Sequence, residues 1–255
     1  MKRVLGWLDA LLFPPRCASC GQRMRPEAVG QGKALCVKCS GKLEGEMHHQ
    51  CPRCFLEYTT CRCVPATLRE RGITAYVKLA PYDLESEHSA VRDLVLGIKE
   101  RPSRRTFRFL AAELSVGILA AVAASDKSRE NQGKAPLETL ITYLPRSRRG
   151  VARAGFDQAR DLAIALSRAT GYRMVPLLLR VHDGSAQKEL TKRERIENLR
   201  GAFGKTGPDV SGFRVLLVDD VVTTGAGMAE CAKCLDCAEL MAVSIAYTEK
   251  KRAKA

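Results

Sequence analysis

Aromatic side chains are scarce in this chain: they make up 5% of its 255 residues, with a single tryptophan. That argues against an extended surface for stacking nucleobases. Long apolar runs are also missing. The nearest, from Phe109 to Ala124, is broken by Glu113 and Ser115 and falls short of the roughly 18–20 residues a membrane span needs. Acidic residues are outnumbered, 28 against 42 Lys and Arg, a formal charge of +14. Hydrophobic residues reach 45% and charged ones 27%, which excludes disordered and collagen-like classes and predicts a soluble chain with a real core. The opening MKRVLGWLDALLF has a basic start and an apolar run. Asp9 interrupts it and no small-residue cleavage site follows, so it reads as a short amphipathic helix ended by Pro14 and Pro15 rather than an export signal.

Cysteine is what the chain has in excess. Eight of its eleven cysteines lie between Cys17 and Cys63, in the pairs Cys17/Cys20, Cys36/Cys39, Cys51/Cys54 and Cys61/Cys63. A C-x2-C turn brings two thiolates to one tetrahedral ion, and two such turns complete a four-cysteine zinc site. The 15 residues between Cys20 and Cys36 match zinc-ribbon spacing. The last two pairs form a second, tighter site. The spacing leaves open which pairs share an ion, and whether His48 or His49 replaces a cysteine. A closed four-thiolate site has no open coordination position, so one or two zinc ions here are structural. Cys231, Cys234 and Cys237 fall at three-residue spacing in what reads as one helix, where cysteine is a small core residue.

Beyond the cysteines, Gly72 to Asp83 reads as one or two strands, followed by two helices with apolar residues every three or four positions. Ser125 to Pro136 reads as an exposed polar loop. Strands and helices then alternate: ETLITYLP a strand, FDQARDLAIALSRATG a helix closing on Gly171, MVPLLLRV a strand. A polar loop with a short helix spans His182 to Asn198, then come RVLLVDDV, a helix from Gly225, and LMAVSIAYT. Short apolar strands separated by helices predict an α/β fold, a parallel sheet covered on both faces. The boundary is expected near residue 66: an N-terminal helix and double zinc ribbon over 1–66, the α/β domain over 67–255.

The segment Leu216 to Gly227, LLVDDVVTTGAG, carries the most chemistry. A buried strand delivers Asp219 and Asp220 at its carboxyl end, where open α/β sheets bind ligands. Val221 and Val222 lead into Thr223, Thr224 and Gly225, and a helix starts near Ala226 and Gly227. Amides at that start, two hydroxyls and a glycine suit a phosphate monoester, and the acids suit the hydroxyls of the polyol that carries it.

This stretch resembles the phosphoribosyl-pyrophosphate (PRPP) motif of type I phosphoribosyltransferases. Leu144 to Ala159 resembles the ComF family, whose R-G-F-N-Q element reads here as Ala154-Gly155-Phe156-Asp157-Gln158. Gln187, Leu190, Arg193, Asn198 and Gly201-Ala202-Phe203 resemble another stretch of that family, a mobile loop in related enzymes, and the cysteine pairs match its double zinc ribbon. The resemblance implies a phosphoribosyltransferase-type domain that binds PRPP with Mg²⁺. It also implies a role in DNA uptake or single-stranded DNA handling in the cytoplasm, with competence proteins as partners. Asp219 and Asp220 would serve the ribose hydroxyls or the metal's waters, and residues 221–227 the 5-phosphate. Arg146, Arg148, Arg149, Gln187 and Arg193 would serve the pyrophosphate. Catalysis, by transfer to an acceptor that no residue identifies, and pure PRPP sensing are the other readings. The charge is concentrated at Lys99, Arg101, Arg104, Arg105 and Arg108, at Arg146 to Arg153, and at Lys250 to Lys254, and favours polyanions.

Overall fold

The computed structural model describes residues 14–25, 33–83, 89–182, 197 and 199–248. The N-terminal helix expected before Pro14, the basic tail, and most of the loop from His182 to Asn198, with Gln187 and Arg193, lie outside them.

Seven helices and seven strands are described: α1 (Val37–Met47), α2 (Ala66–Arg69), β1 (Ile73–Pro81), α3 (Ala90–Glu100), α4 (Arg104–Glu130), β2 (Thr139–Tyr143), α5 (Arg148–Ala154), α6 (Gln158–Thr170), β3 (Arg173–Met174), β4 (Leu178–Arg180), β5 (Phe203–Lys205), β6 (Val210–Val222), α7 (Ala226–Ala232) and β7 (Cys237–Tyr247). Five strands form one sheet in the order β1-β7-β6-β2-β3, parallel throughout. β6 is its central strand. Alternation along it divides the core: Leu216 and Val218 pack with Leu94, Leu114 and Leu162 of α3, α4 and α6, and Val215 and Leu217 with Leu68 and Met228 of α2 and α7. Both faces are covered, as the apolar strand runs predict.

Local chemistry sets the helix limits. Ser89, Ser103 and Asp157 accept amide hydrogens at the starts of α3, α4 and α6. Gly171 ends α6 with φ 80°, a conformation glycine adopts without strain. α4 alone among the described helices is long and apolar enough to cross a membrane. Here Phe107, Leu110, Leu114 and Ile118 form its buried stripe, and it packs on α6 and β1.

Four expectations need correction. The loop assigned to Ser125–Pro136 begins too early: α4 runs to Glu130 because Ser125 and Asp126 reach across to Arg214. The strand expected over 174–181 is two, since Pro176 offers no N–H to the ladder; β3 stops at Met174 and β4 pairs antiparallel with β5. The basic stretch after β2, to which the pattern gives no element, folds from Arg148 into a helix, α5, capped by Ser147. The last three cysteines do not share a helix: Cys231 lies in α7, Cys234 in the turn after it, and Cys237 opens β7.

The cysteine segment is built into this frame. Cys17, Met24, Leu35, Cys39 and Leu43 belong to the same buried cluster as β1, α3 and α4. The second pair of knuckles lies along β1, the sheet edge, where the Arg62 carbonyl accepts the Tyr76 N–H at 3.4 Å.

Candidate functional site

Asp219 and Asp220 stand near the carboxyl end of the central strand. Each is held by the amide that follows it: Asp220 N–H donates to Asp219 Oδ1 at 2.8 Å, and Val221 N–H to Asp220 Oδ1 at 2.7 Å. Successive strand residues face opposite ways. Asp219 accordingly lines a cavity of about 180 Å³ with Leu199 and residues 221–228, whereas Asp220 pairs with Lys99 of α3, Nζ to Oδ2 3.1 Å. The cavity is well below the ~300 Å³ of a drug-sized site, in keeping with a small phosphorylated group.

The T-T-G turn closes that cavity. Gly225 has φ 78°, and a Cβ there would stand 3.1 Å from both Leu68 Cδ2 and Thr67 Oγ1 of α2. Both conformation and space therefore call for glycine. Thr224 Oγ1 accepts the Ala226 N–H at 3.3 Å, and its carbonyl accepts the Thr67 hydroxyl at 3.4 Å. The segment between the cysteine knuckles and β1 thus touches the loop suited to phosphate.

Burial pushes the Asp219 carboxyl well above the usual carboxylate range, and the charge of Asp220 pushes it further. A raised folded value means that the group's contribution to stability is full at pH below the ordinary Asp value of about 3.9. That contribution is lost as pH rises through the raised value. Above the ordinary Asp value the buried carboxyl therefore works against folding. Asp219→Asn is expected to raise the thermal midpoint at pH 7 by a few degrees, with the gain shrinking toward pH 4; an unchanged or lowered midpoint at pH 7 would contradict this.

The basic loop after β2 adjoins the site through Leu144, whose N–H bonds to the Val218 carbonyl at 2.9 Å and whose Cδ1 packs on Gly227. Arg146 is half-buried: its N–H donates to Asp157 Oδ2 at 2.9 Å and its guanidinium to Gln158 Oε1 at 2.8 Å. Asp157, which with Ala154 departs from the R-G-F-N-Q pattern, thus fastens this loop while capping α6. Arg148 and Arg149 sit exposed on α5. Lys99 is the site residue that sequence reasoning placed elsewhere, among surface cations. It meets Asp220 across 121 positions of chain, and no local pattern could show that.

The eight N-terminal cysteines form two groups, Cys17/Cys20/Cys36/Cys39 and Cys51/Cys54/Cys61/Cys63, with all sulfurs of a group within 4.8 Å of one another. Consecutive pairs therefore share a site, which resolves the interleaved alternative. His48 stands apart, bonded to Glu57 at 3.0 Å. Cys20 and Cys36 Sγ are 3.9 Å apart, close to the ~3.8 Å edge of a tetrahedron with 2.3 Å zinc–sulfur bonds. Amide and ammonium donors already face the sulfurs: Cys36 N–H to Cys17, Cys63 N–H to Cys61, and Lys78 Nζ to Cys61 at 3.3 Å. Burial, with the neighbouring sulfurs, pushes the Cys39 and Cys63 thiols up to about 12, a cost that a bound cation would relieve. The donor sets fit zinc. Cys231 is buried and Cys234 and Cys237 half-buried, the latter two donating to the carbonyls of Phe203 and Glu239 at 3.4 Å.

No family model matches the chain. It is 37% identical to the DNA utilization protein YhgH of Salmonella typhi over 39% of its own length and 44% of that protein's, so it spans less than half of that relative. It is 23% identical to the competence protein ComFC of Bacillus subtilis over 79% of its own length and 77% of that protein's. Among solved structures it is similar to a Staphylococcus aureus hypoxanthine phosphoribosyltransferase, with TM-score 0.32 and 11% identity over 68% of this chain and 79% of the other. It is also similar to a purine phosphoribosyltransferase of Pyrococcus horikoshii, with TM-score 0.23 and 15% identity over 54% and 92%. The chain thus joins two four-cysteine clusters to a parallel sheet that bears a D-D-V-V-T-T-G turn, and in sequence it is similar to YhgH over part of its length and to ComFC over most of it.

Proposed function

We propose that this chain binds PRPP together with Mg²⁺ at the end of β6 and serves the handling of single-stranded DNA during uptake, in the cytoplasm. The observation that carries the binding half is the cavity joining Asp219 to the Thr223–Gly227 turn. In this reading the hydroxyls of Thr223 and Thr224 and the amides of Gly225 to Gly227 receive the 5-phosphate, and Asp219 accepts from ribose hydroxyls. Arg146, Arg148 and Arg149, with Gln187 and Arg193, serve the pyrophosphate through guanidinium and amide donors. Mg²⁺ would offset the phosphate charge. The DNA half is supported by the relatives' names and by the excess of basic residues. Two zinc ions in the cysteine clusters complete the proposal.

A second reading, transfer of the phosphoribosyl group to an acceptor with loss of pyrophosphate, is favoured by the fastened arginine loop beside the cavity. Calorimetric titration of PRPP with Mg²⁺ is expected to give micromolar binding, abolished by Asp219→Asn/Asp220→Asn. Folded wild-type protein that takes up no PRPP would refute both readings. Release of pyrophosphate on adding an acceptor would favour the second.

A further inference from the structure

We propose that Lys99 is a working residue of this ligand site, placed there by the first cysteine cluster acting through α3. The inference rests on the PRPP reading and deepens it.

α3 is held at three points. At its start, Glu46 of α1 accepts the amide hydrogens of Ala90 and Val91 at 2.6 and 3.0 Å and the Ser89 hydroxyl at 3.1 Å. α1 follows Cys36 directly and carries Cys39, so this cap is an extension of the cysteine cluster. Near its end, Gly97 lies against the knuckle backbone: a Cβ at Gly97 would be 1.9 Å from the Ala18 carbonyl oxygen, one residue after Cys17. No side chain fits there unless helix or knuckle moves. Two residues later Lys99 reaches Asp220.

Charge gives the contact its purpose. PRPP is a polyanion, and an exposed acid pair would repel it. Asp219 resists ionisation through burial, and the Lys99 ammonium neutralises Asp220. Of the cations in this stretch, Lys99 meets a carboxylate, whereas Arg101, Arg104 and Arg108 have no carboxylate partner among the described residues. The side chain is 43% exposed. Asp220 is only 18% exposed, so the lysine is the half of the pair that a ligand can reach. An ammonium has three hydrogens, and one serves Asp220. Neither Lys99 nor Asp220 lines the Asp219 cavity, so the other two would serve phosphate oxygens that lie outside it at the strand end.

The test is titration of PRPP with Mg²⁺ into wild type, Lys99→Met, Lys99→Arg and Gly97→Ala, with melting curves to confirm folding. Lys99→Met is expected to weaken binding roughly 10- to 100-fold, the range for losing a hydrogen bond to a charged group. Lys99→Arg should recover most of that. Gly97→Ala should weaken binding too; if it does not fold, Glu46→Gln loosens α3 from its other end. A second readout needs no ligand. Labelling of Lys99 with an amine-reactive reagent, followed by mass spectrometry, should run faster in Asp220→Asn and Gly97→Ala than in wild type. Wild-type or tighter affinity in Lys99→Met, with binding still lost in Asp219→Asn/Asp220→Asn, would overturn the proposal and leave the PRPP reading standing. Wild-type protein that binds no PRPP would remove that reading and the proposal with it. Unchanged labelling and affinity in both Gly97→Ala and Glu46→Gln would overturn the role of the cysteine cluster.

Discussion

Arg214→Met is expected to destabilise the protein by about 3–5 kcal/mol, the usual cost of removing one partner from a buried ionic cluster. Arg214 lies on β6 with 0% of its side chain exposed. Its Nε meets Glu239 of β7 at 2.6 Å, and its terminal nitrogens meet Asp126 and Ser125 of α4 at 2.7 and 3.1 Å and Thr139 of β2 at 3.2 Å. One guanidinium thus joins three strands and a helix. Methionine fills much of the space but leaves two half-buried carboxylates with no cation between them. Arg214→Lys restores charge without the planar fork and should recover only part of the loss. Adding Asp126→Asn and Glu239→Gln to Arg214→Met should recover more. Denaturant midpoints at neutral pH provide the measurement, and a loss below about 1 kcal/mol would show that the cluster is not what ties these elements together. PRPP affinity of the folded variant should stay unchanged, because Arg214 is five residues from Asp219 along the strand, toward its amino end.

Removing metal should have the other large effect. Two zinc ions per chain are expected, and a strong chelator should abolish the cooperative melting transition of the whole protein rather than trim it. Structural zinc contributes about 10–16 kcal/mol of apparent binding free energy in small fingers. That equals or exceeds the 5–15 kcal/mol by which whole domains are stable. The first cluster is continuous with the core around α3 and α4, so its collapse would open that core. The second holds Lys78, 1% exposed on β1, whose Nζ lies 3.3 Å from Cys61 Sγ and between the rings of Tyr58 and Tyr76 at 5.7 and 4.9 Å. Without a thiolate beside it, that ammonium is a buried charge with no counter-ion among the described residues. Cys17→Ser and Cys61→Ser should each cost one metal equivalent by elemental analysis. Metal-free protein with an unaltered melting curve would refute the structural role.

Much of this was legible in the sequence because the features are local. An apolar run ending in two acids and T-T-G specifies strand, strand end and turn within twelve residues, and the knuckle spacing marks the eight cysteines as metal ligands, although only the fold shows which pairs share a site. The errors lie where distant residues decide. Ser125 and Asp126 look like loop residues until Arg214, some ninety positions on, gives them partners within a helix. The split of β3 from β4 was readable, since Pro176 stood in plain view in an otherwise strand-like run. Lys99 was not: its charge placed it on a surface, and only the crossing of α3 over the sheet end brings it to Asp220. Asp157, a departure from the family pattern, turns out to be a cap and an anchor, roles that carboxylate and amide oxygens can both fill.

The contact between Arg62 and Tyr76 has a consequence for solubility. β1 is one of the two edge strands of the sheet, and an uncovered parallel edge invites other strands to add to it. The loop of the second cysteine cluster meets that edge at Tyr76. A fragment begun at residue 67 would present β1 bare and self-associate, so the metal-binding segment also guards the chain against aggregation.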